Sequence, residues 1–319
     1  MALAPFTIQP ALIAAAGLFT NKALIADEVL PRVEPVSTQA FKYLQHNMAD
    51  GFTIPDTRVG RASRPPQQQF SATEVSGQTL DYGLDVPVPK ADELNAAGQL
   101  DPTARAATNP DTKATLLSKN IVMLDREVRV ANLVFSLNTY LSTQRVTLSG
   151  TGQWSDYTNS NPRDAILSAL DLMVPQRANV IVLGQLAWTK LRQHPAIVSA
   201  VLGNAGQSGA VTREQVAALL EVDRIVVGQG FLNTARPGQP VSMSRVWGKH
   251  CAMLYLDPMA GPFDMPSFGY TVPWGEPVAG EIMDPNMGIR GGRFIRYGES
   301  VAEVIATQAC GYFFQNCVA

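Results

Sequence analysis

An excess of charge of either sign is missing. Twenty-five lysines and arginines stand against 27 aspartates and glutamates, a net of −2 over 319 residues, and only 16% of the chain is charged. Such a chain has neither the basic field that collects nucleic acid nor the acidic tail that imitates it. Cysteine is scarce. Cys251, Cys310 and Cys317 form an odd set without a CxxC pair, which excludes a disulfide framework and fits three buried thiols in a reducing compartment. His46, His194 and His250 are scattered, so no zinc spacing forms. Long apolar runs are missing too, and none reaches the ~18 residues of a membrane span. The run ALIAAAGLF at 11–19 has no basic residue before it, the first being Lys22, and Pro5 and Pro10 precede it, unlike a signal peptide. The expectation is a soluble protein made in the cytoplasm, with no cofactor and no membrane partner.

Signatures of chemistry are equally sparse. The strand-to-helix junction LGQLAW at 183–188 lacks the GxGxxG of a dinucleotide fold, and no GxxxxGK[ST] occurs. Ser208 sits among glycines but not in GxSxG, and three histidines leave few partners for a triad. Asp27/Glu28 and Asp92/Glu93 are sequence neighbours, which on a helix do not face each other, so they read as solvated. No catalytic or metal-binding residue is assigned.

What is present is an apolar fraction of 46%, enough for a real core, punctuated by 25 glycines and 22 prolines. Residues 1–50 read as a proline-broken arm. Residues 51–90 read as a long hairpin, with strands over 52–59 and 70–89 around RASRPPQQQ. The clearest element starts at Asn109, an N-cap followed by Pro110 and Asp111, and no Pro or Gly intervenes before Gly150. Leu117, Ile121, Leu124, Val128, Ala131 and Phe135 recur at steps of four and three, predicting a helix to about 141 that packs that stripe on a sheet. Asn161 caps a second helix, and Thr212 with Gln215 forms a capping box for a third. From 177 the pattern alternates between short buried strands such as NVIVLG and short helices. The tail is aromatic and β-branched, and Gly298 reads as a turn between returning strands.

The stretch 58–70, RVGRASRPPQQQF, is too polar for a core, and an isolated two-stranded ribbon is marginal in water. Arg58, Arg61 and Arg64 lack the interleaved aromatics of a single-strand nucleic-acid platform and fit contacts to carboxylates of a neighbouring subunit better. Elements that cannot bury themselves within one chain point to an obligate assembly.

The arm and hairpin around RASRPPQQQ, the helix from Asn109, the stretch NVIVLGQLAWTKLRQHPAIVSAVLG and the ending RYGESVAEVIATQACGYFFQNCVA occur in an order that resembles the major capsid proteins of tailed bacteriophages. The resemblance implies an α+β fold of the Hong Kong 97 type. Its parts would be an arm (1–50), an extended loop (51–90), a peripheral domain with a spine helix (91–176), an axial domain (177–282) and returning peripheral strands (283–319). It implies a homo-oligomeric shell of pentamers and hexamers around double-stranded DNA. The loop would lie over the adjacent subunit, with Arg58, Arg61, Arg64, Pro65, Pro66 and Phe70 as contacts, and the prolines would stiffen its tip. Residues 58–89 contain no lysine, so a loop-borne isopeptide cross-link is not expected. The presumed loop begins near residue 51, which leaves no room for a scaffolding extension and implies a separate scaffolding protein. A portal protein, a decoration protein and weak, non-specific contact with packaged DNA complete the implied partners. Three alternatives stay open: an encapsulin-like compartment of the same fold, a small-molecule α/β enzyme with its site in 180–260, and a secreted adhesin.

Overall fold

In the computed structural model the described residues are 7–8, 23–46, 53–54, 56–61, 63–65, 67, 72–98, 109–174, 176–203, 209–257 and 267–319. The strand Thr7–Ile8 (β1) is followed by a single helical turn, Ala26–Val29 (α1). Ala40–His46 (β2) and Ala72–Gln78 (β3) pair antiparallel with each other, from Ala40↔Gln78 to His46↔Ala72. The strand expected over 52–59 is not formed, since 53–54 and 56–59 have no strand partner among the described residues. The outgoing strand of the hairpin lies earlier, in the presumed arm. The expected return strand divides at Thr79: β3 stays in the hairpin, and Leu80–Pro89 (β4) joins the body. Tyr82, Leu84, Val86 and Val88 of β4 have a helix to pack on, which the hairpin could not offer.

After a short helix, Lys90–Ala97 (α2), comes the long helix Pro110–Val134 (α3), begun as the sequence predicts: the Asn109 side chain accepts the Asp111 N–H at 3.0 Å. It ends at Val134, not near 141. Thr139 Oγ1 donates to the Leu133 carbonyl and Tyr140 Oη to the Val134 carbonyl, so following side chains take its last acceptors. Its buried face also differs from the predicted stripe. Leu117 and Ile121 are 50% and 41% exposed, while Ala114, Ser118, Val122, Arg126, Glu127 and Val130 face inward.

Then follow Arg145–Thr147 (β5), Pro162–Asp171 (α4), Val180–Gly184 (β6), Gln185–Leu191 (α5), Pro195–Leu202 (α6), Arg213–Leu220 (α7) and Arg224–Gly228 (β7). The remainder is strand: Phe231–Asn233 (β8), Met243–Arg245 (β9), Cys251–Leu254 (β10), Gly269–Pro273 (β11), Val278–Asp284 (β12), Gly292–Ile305 (β13) and Gly311–Gln315 (β14). The Thr212–Gln215 capping box and the Asn161 cap form as expected.

Two sheets organise these elements. In the first, β13 is the axis: β4 lines one edge over ten residues, and β12 and β11 lie end to end on the other. Pro273 pairs with Val301 and Val278 with Gly298, so residues 274–277 stand opposite 299–300 as a bulge. Beyond it, Tyr270, Val272 and Val304 pack on Phe41 at the base of the hairpin. Gly298 is not a turn. It lies within β13 opposite Gly83, where a Cβ would come 2.9 Å from the Tyr82 carbonyl oxygen and 3.2 Å from Gly83 Cα.

The second sheet has the order β5-β14-β10-β6-β7. The last strand, β14, pairs with β10 here and does not return to the first sheet as expected, because its side chains serve two cores. Tyr312 and Phe314 join Trp154 and helices α4 to α7 on one face. Phe313 joins α1, the end of α3, Tyr140 and Trp247 on the other. Strand β6 is buried on both faces for the same reason.

Candidate functional site

The sequence-predicted loop residues stand away from the body. Arg58, Arg61, Arg64 and Pro65 are exposed, while Pro66 and Phe70 lie outside the described residues. The Arg58 N–H donates to Asp56 Oδ1 at 3.0 Å and the Ser63 N–H to the Gly60 carbonyl at 3.0 Å, two local turns that hold backbone but not guanidinium groups. No ion pair involves the three arginines among the described residues, and Ile54 nearby is 88% exposed. Three cationic side chains and one apolar one thus stand exposed between the two strands of the hairpin.

A second constellation was not anticipated. Arg126 and Glu127, adjacent on α3, are both fully buried. Glu127 accepts the N–H groups of Ile25 (2.9 Å) and Ala26 (2.7 Å), the free donors at the start of α1, and the indole N–H of Trp247. Arg126 grips the other end of the same turn, donating to Asp27 Oδ1 (2.5 Å) and the Leu30 carbonyl (3.4 Å), and reaches Thr271 Oγ1 of β11 at 3.0 Å. Arg32 extends the network to Asp27 (2.9 Å) and Glu299 (2.8 Å), and Arg129 to Glu303 (3.0 Å). Arm, long helix, the first sheet and the turn before β10 thus meet at one pair of residues. Burial pushes the Glu127 carboxyl above its ordinary range, against the pull of its N–H donors and Arg126. Burial also pushes Asp27 up, but the charges of Arg126 and Arg32 outweigh it and hold that carboxyl low. Asp27 is exposed, as its place beside Glu28 in the sequence suggests, but it is paired with two arginines rather than free. The available signal was the position of Arg126, four residues from Val122 and from Val130 on the inward face.

Nucleophilic chemistry finds no support in the geometry. Ser160 Oγ lies 3.0 Å from His194 Nε2, but His194 Nδ1 accepts the Ala196 N–H at 3.2 Å. The neutral ring then carries its proton on Nε2 and donates to Ser160, the reverse of base activation. His250 Nδ1 likewise accepts the Asn316 N–H, at 3.0 Å. Burial pushes the three thiols up, Cys310 to about 12, so none offers a thiolate. Among the described residues no three of His, Cys, Asp and Glu gather as metal ligands, and no helix is long and apolar enough to cross a membrane.

No family model matches the chain. It is 46% identical to the major capsid protein of Pseudomonas phage JBD67 over 319 residues, which is 100% of both chains. Among solved structures it is similar to a phage-related protein from Bordetella bronchiseptica RB50, with a TM-score of 0.72 at 20% identity over 98% of this chain and 99% of that one. It is also similar to the capsid protein of cyanophage P-SCSP1u, with a TM-score of 0.57 at 10% identity over 99% and 92%. At such identities the solved structures speak for the fold: hairpin, long helix and two sheets form the α+β architecture of the Hong Kong 97 type. With that fold, and a relation of 46% identity along its whole length, this protein belongs to the bacteriophage major capsid proteins.

Proposed function

We propose that the chain self-assembles, through pentamers and hexamers, into the icosahedral shell that encloses phage double-stranded DNA, assembling in the host cytoplasm and residing in the virion. The observation that carries this reading is the hairpin, whose strands pair with each other and whose end bears exposed Arg58, Arg61 and Arg64 without ion-pair partners among the described residues. The arginines and prolines of the loop, Phe70 included, are contacts to the adjacent subunit. A separate scaffolding protein, a portal and a decoration protein are the partners this role calls for. A net charge of −2 suits a wall that touches packaged DNA weakly. No catalytic role is assigned. The full-length relation to a phage capsid protein favours this reading over an enzyme-enclosing compartment of the same fold.

Negative-stain electron microscopy tests it. The protein expressed alone and with candidate scaffold genes is expected to form closed shells, or rings of five or six. Replacing Arg58, Arg61 and Arg64 with Ala leaves circular dichroism and the urea midpoint unchanged but lowers shell yield at least about tenfold, as expected when several exposed charge contacts of ~0.2–1 kcal/mol per pair are lost at every copy. A monomer under every condition would overturn the shell reading, and undiminished yield from the triple variant would overturn the role of the loop.

A further inference from the structure

We infer that the loop of one subunit docks as an added strand along the open edge of β4 in the next. Strand β4 pairs with β13 on one side, and no strand pairs with its other side among the described residues. The prolines show which groups line that edge. Pro87 and Pro89 have no N–H, so they stand where an N–H would point away from β13. Asp81, Gly83 and Asp85, at the same parity, therefore direct their N–H and C=O groups outward. An open edge of this kind is a template for a further strand.

The face at this edge is cut to receive long cationic side chains. Asp81 and Asp85 flank Gly83, and the residue across from Gly83 is Gly298, so bare backbone lies between two carboxylates. Asp85 is held by both prongs of Arg296, at 2.6 Å each, and Asp81 is exposed with its carboxylate bonded to Ser300.

The occupant is residues 56–61, DTRVGR, of a second copy. They are exposed and have no strand partner in their own chain among the described residues, although the segment that includes 56–59 alternates as a strand does. Arg58 and Arg61 against Asp56 give a positive segment; Asp81 and Asp85 against Arg296 give a negative face. Val59 is 45% exposed and Leu80 55%, an apolar pair that this docking covers. The loop does not fold back on its own β4: the open end of the hairpin stands a seven-residue strand, roughly 24 Å, from where β4 starts. A contact between one surface of a subunit and a different surface of the next propagates, and closes as a ring.

This inference rests on the shell reading, and the test separates the two. A Val59→Cys, Leu80→Cys double variant is assembled under reducing conditions and then treated with a short bis-maleimide. Denaturing gels are expected to show a ladder of covalent oligomers, while each single variant stays monomeric because the native thiols are buried. In a second experiment Arg58→Asp lowers shell yield about tenfold or more, and Asp81→Arg in the same chain restores it. Shells of the double-cysteine variant that remain monomeric on the gel, or an Arg58→Asp defect that Asp81→Arg leaves untouched, would overturn the docking while leaving the shell reading intact. If the unaltered protein assembles under no condition, both fall.

Discussion

Replacing Glu127 with glutamine loosens the N-terminal arm and lowers the unfolding free energy by about 3 kcal/mol. The glutamine is nearly isosteric, so no cavity accounts for the loss. One oxygen remains for donors that now occupy two, and the new amide N–H groups point at the N–H groups of Ile25, Ala26 or Trp247. Each buried donor left facing another donor costs ~1–3 kcal/mol. Urea unfolding measures the total, and trypsin cleavage after Arg32, which is paired with Asp27 and Glu299 in the intact junction, reports the arm specifically. Trp247→Phe removes one donor but leaves the Ile25 and Ala26 N–H groups bonded to Glu127, so the arm stays protected; its loss, about 1 kcal/mol for the hydrogen bond, also includes the packing of the larger, fully buried indole. The variant also changes the response to pH. Burial raises the Glu127 pKa above 4.5 in the folded state, so between 4.5 and that higher value the folded chain holds a proton that the unfolded chain has released. The contribution is full below 4.5 and is lost as pH rises through the folded value. Glu127→Gln lacks this decline. A variant with wild-type stability, protection and pH response would refute the junction as a structural clamp.

Gly228→Ala is expected to cost about 4 kcal/mol or more and to send most of the expressed chain into the insoluble fraction. A Cβ at position 228 would lie 2.1 Å from Trp247 Cδ1 and 2.2 Å from Cγ. The indole is fully buried, its N–H is held by Glu127, and Phe135 packs edge-on against it at 5.2 Å between ring centroids. It cannot yield without breaking the junction, and β7 cannot shift without breaking its ladder with β6. Trp247→Ala removes Cγ and Cδ1, the two closest atoms, so the double variant Gly228→Ala, Trp247→Ala is less impaired than the sum of the two singles, a coupling that a double-mutant cycle reads directly. Additive effects would show that the clash is not the cause.

These two residues also show where reading the chain stops. Caps and buried strands are local signals, and Asn109, Thr212 with Gln215, and NVIVLG declare them in a few residues. The face of α3 was not legible, because its inward register holds Arg126 and Glu127, whose partners at Asp27 and Ile25 lie about a hundred positions away. A periodicity of apolar residues alone selects Leu117 and Ile121 instead, which the folded chain leaves exposed. Gly298 misled for a related reason. Glycine serves turns and close strand contacts alike, and only the opposing Gly83 distinguishes them. The exposure of the loop arginines was legible in the polarity of their stretch; the strand pairing of 40–46 with 72–78 was not, because 25 residues separate its two halves.

The hairpin base has one more implication, for how shells of different size could arise from related chains. The direction in which the loop leaves the body is set where Phe41 packs on Tyr270, Val272 and Val304, beyond the bulge at 274–277. The distance it covers is set by the stretch between 46 and 72. Aim and reach are therefore written in separate parts of the chain. Under the docking proposed above, insertions between the hairpin strands lengthen the reach toward a neighbour without turning it, whereas a one-residue change at 274–277 swings the whole loop and, with it, the angle between neighbouring subunits.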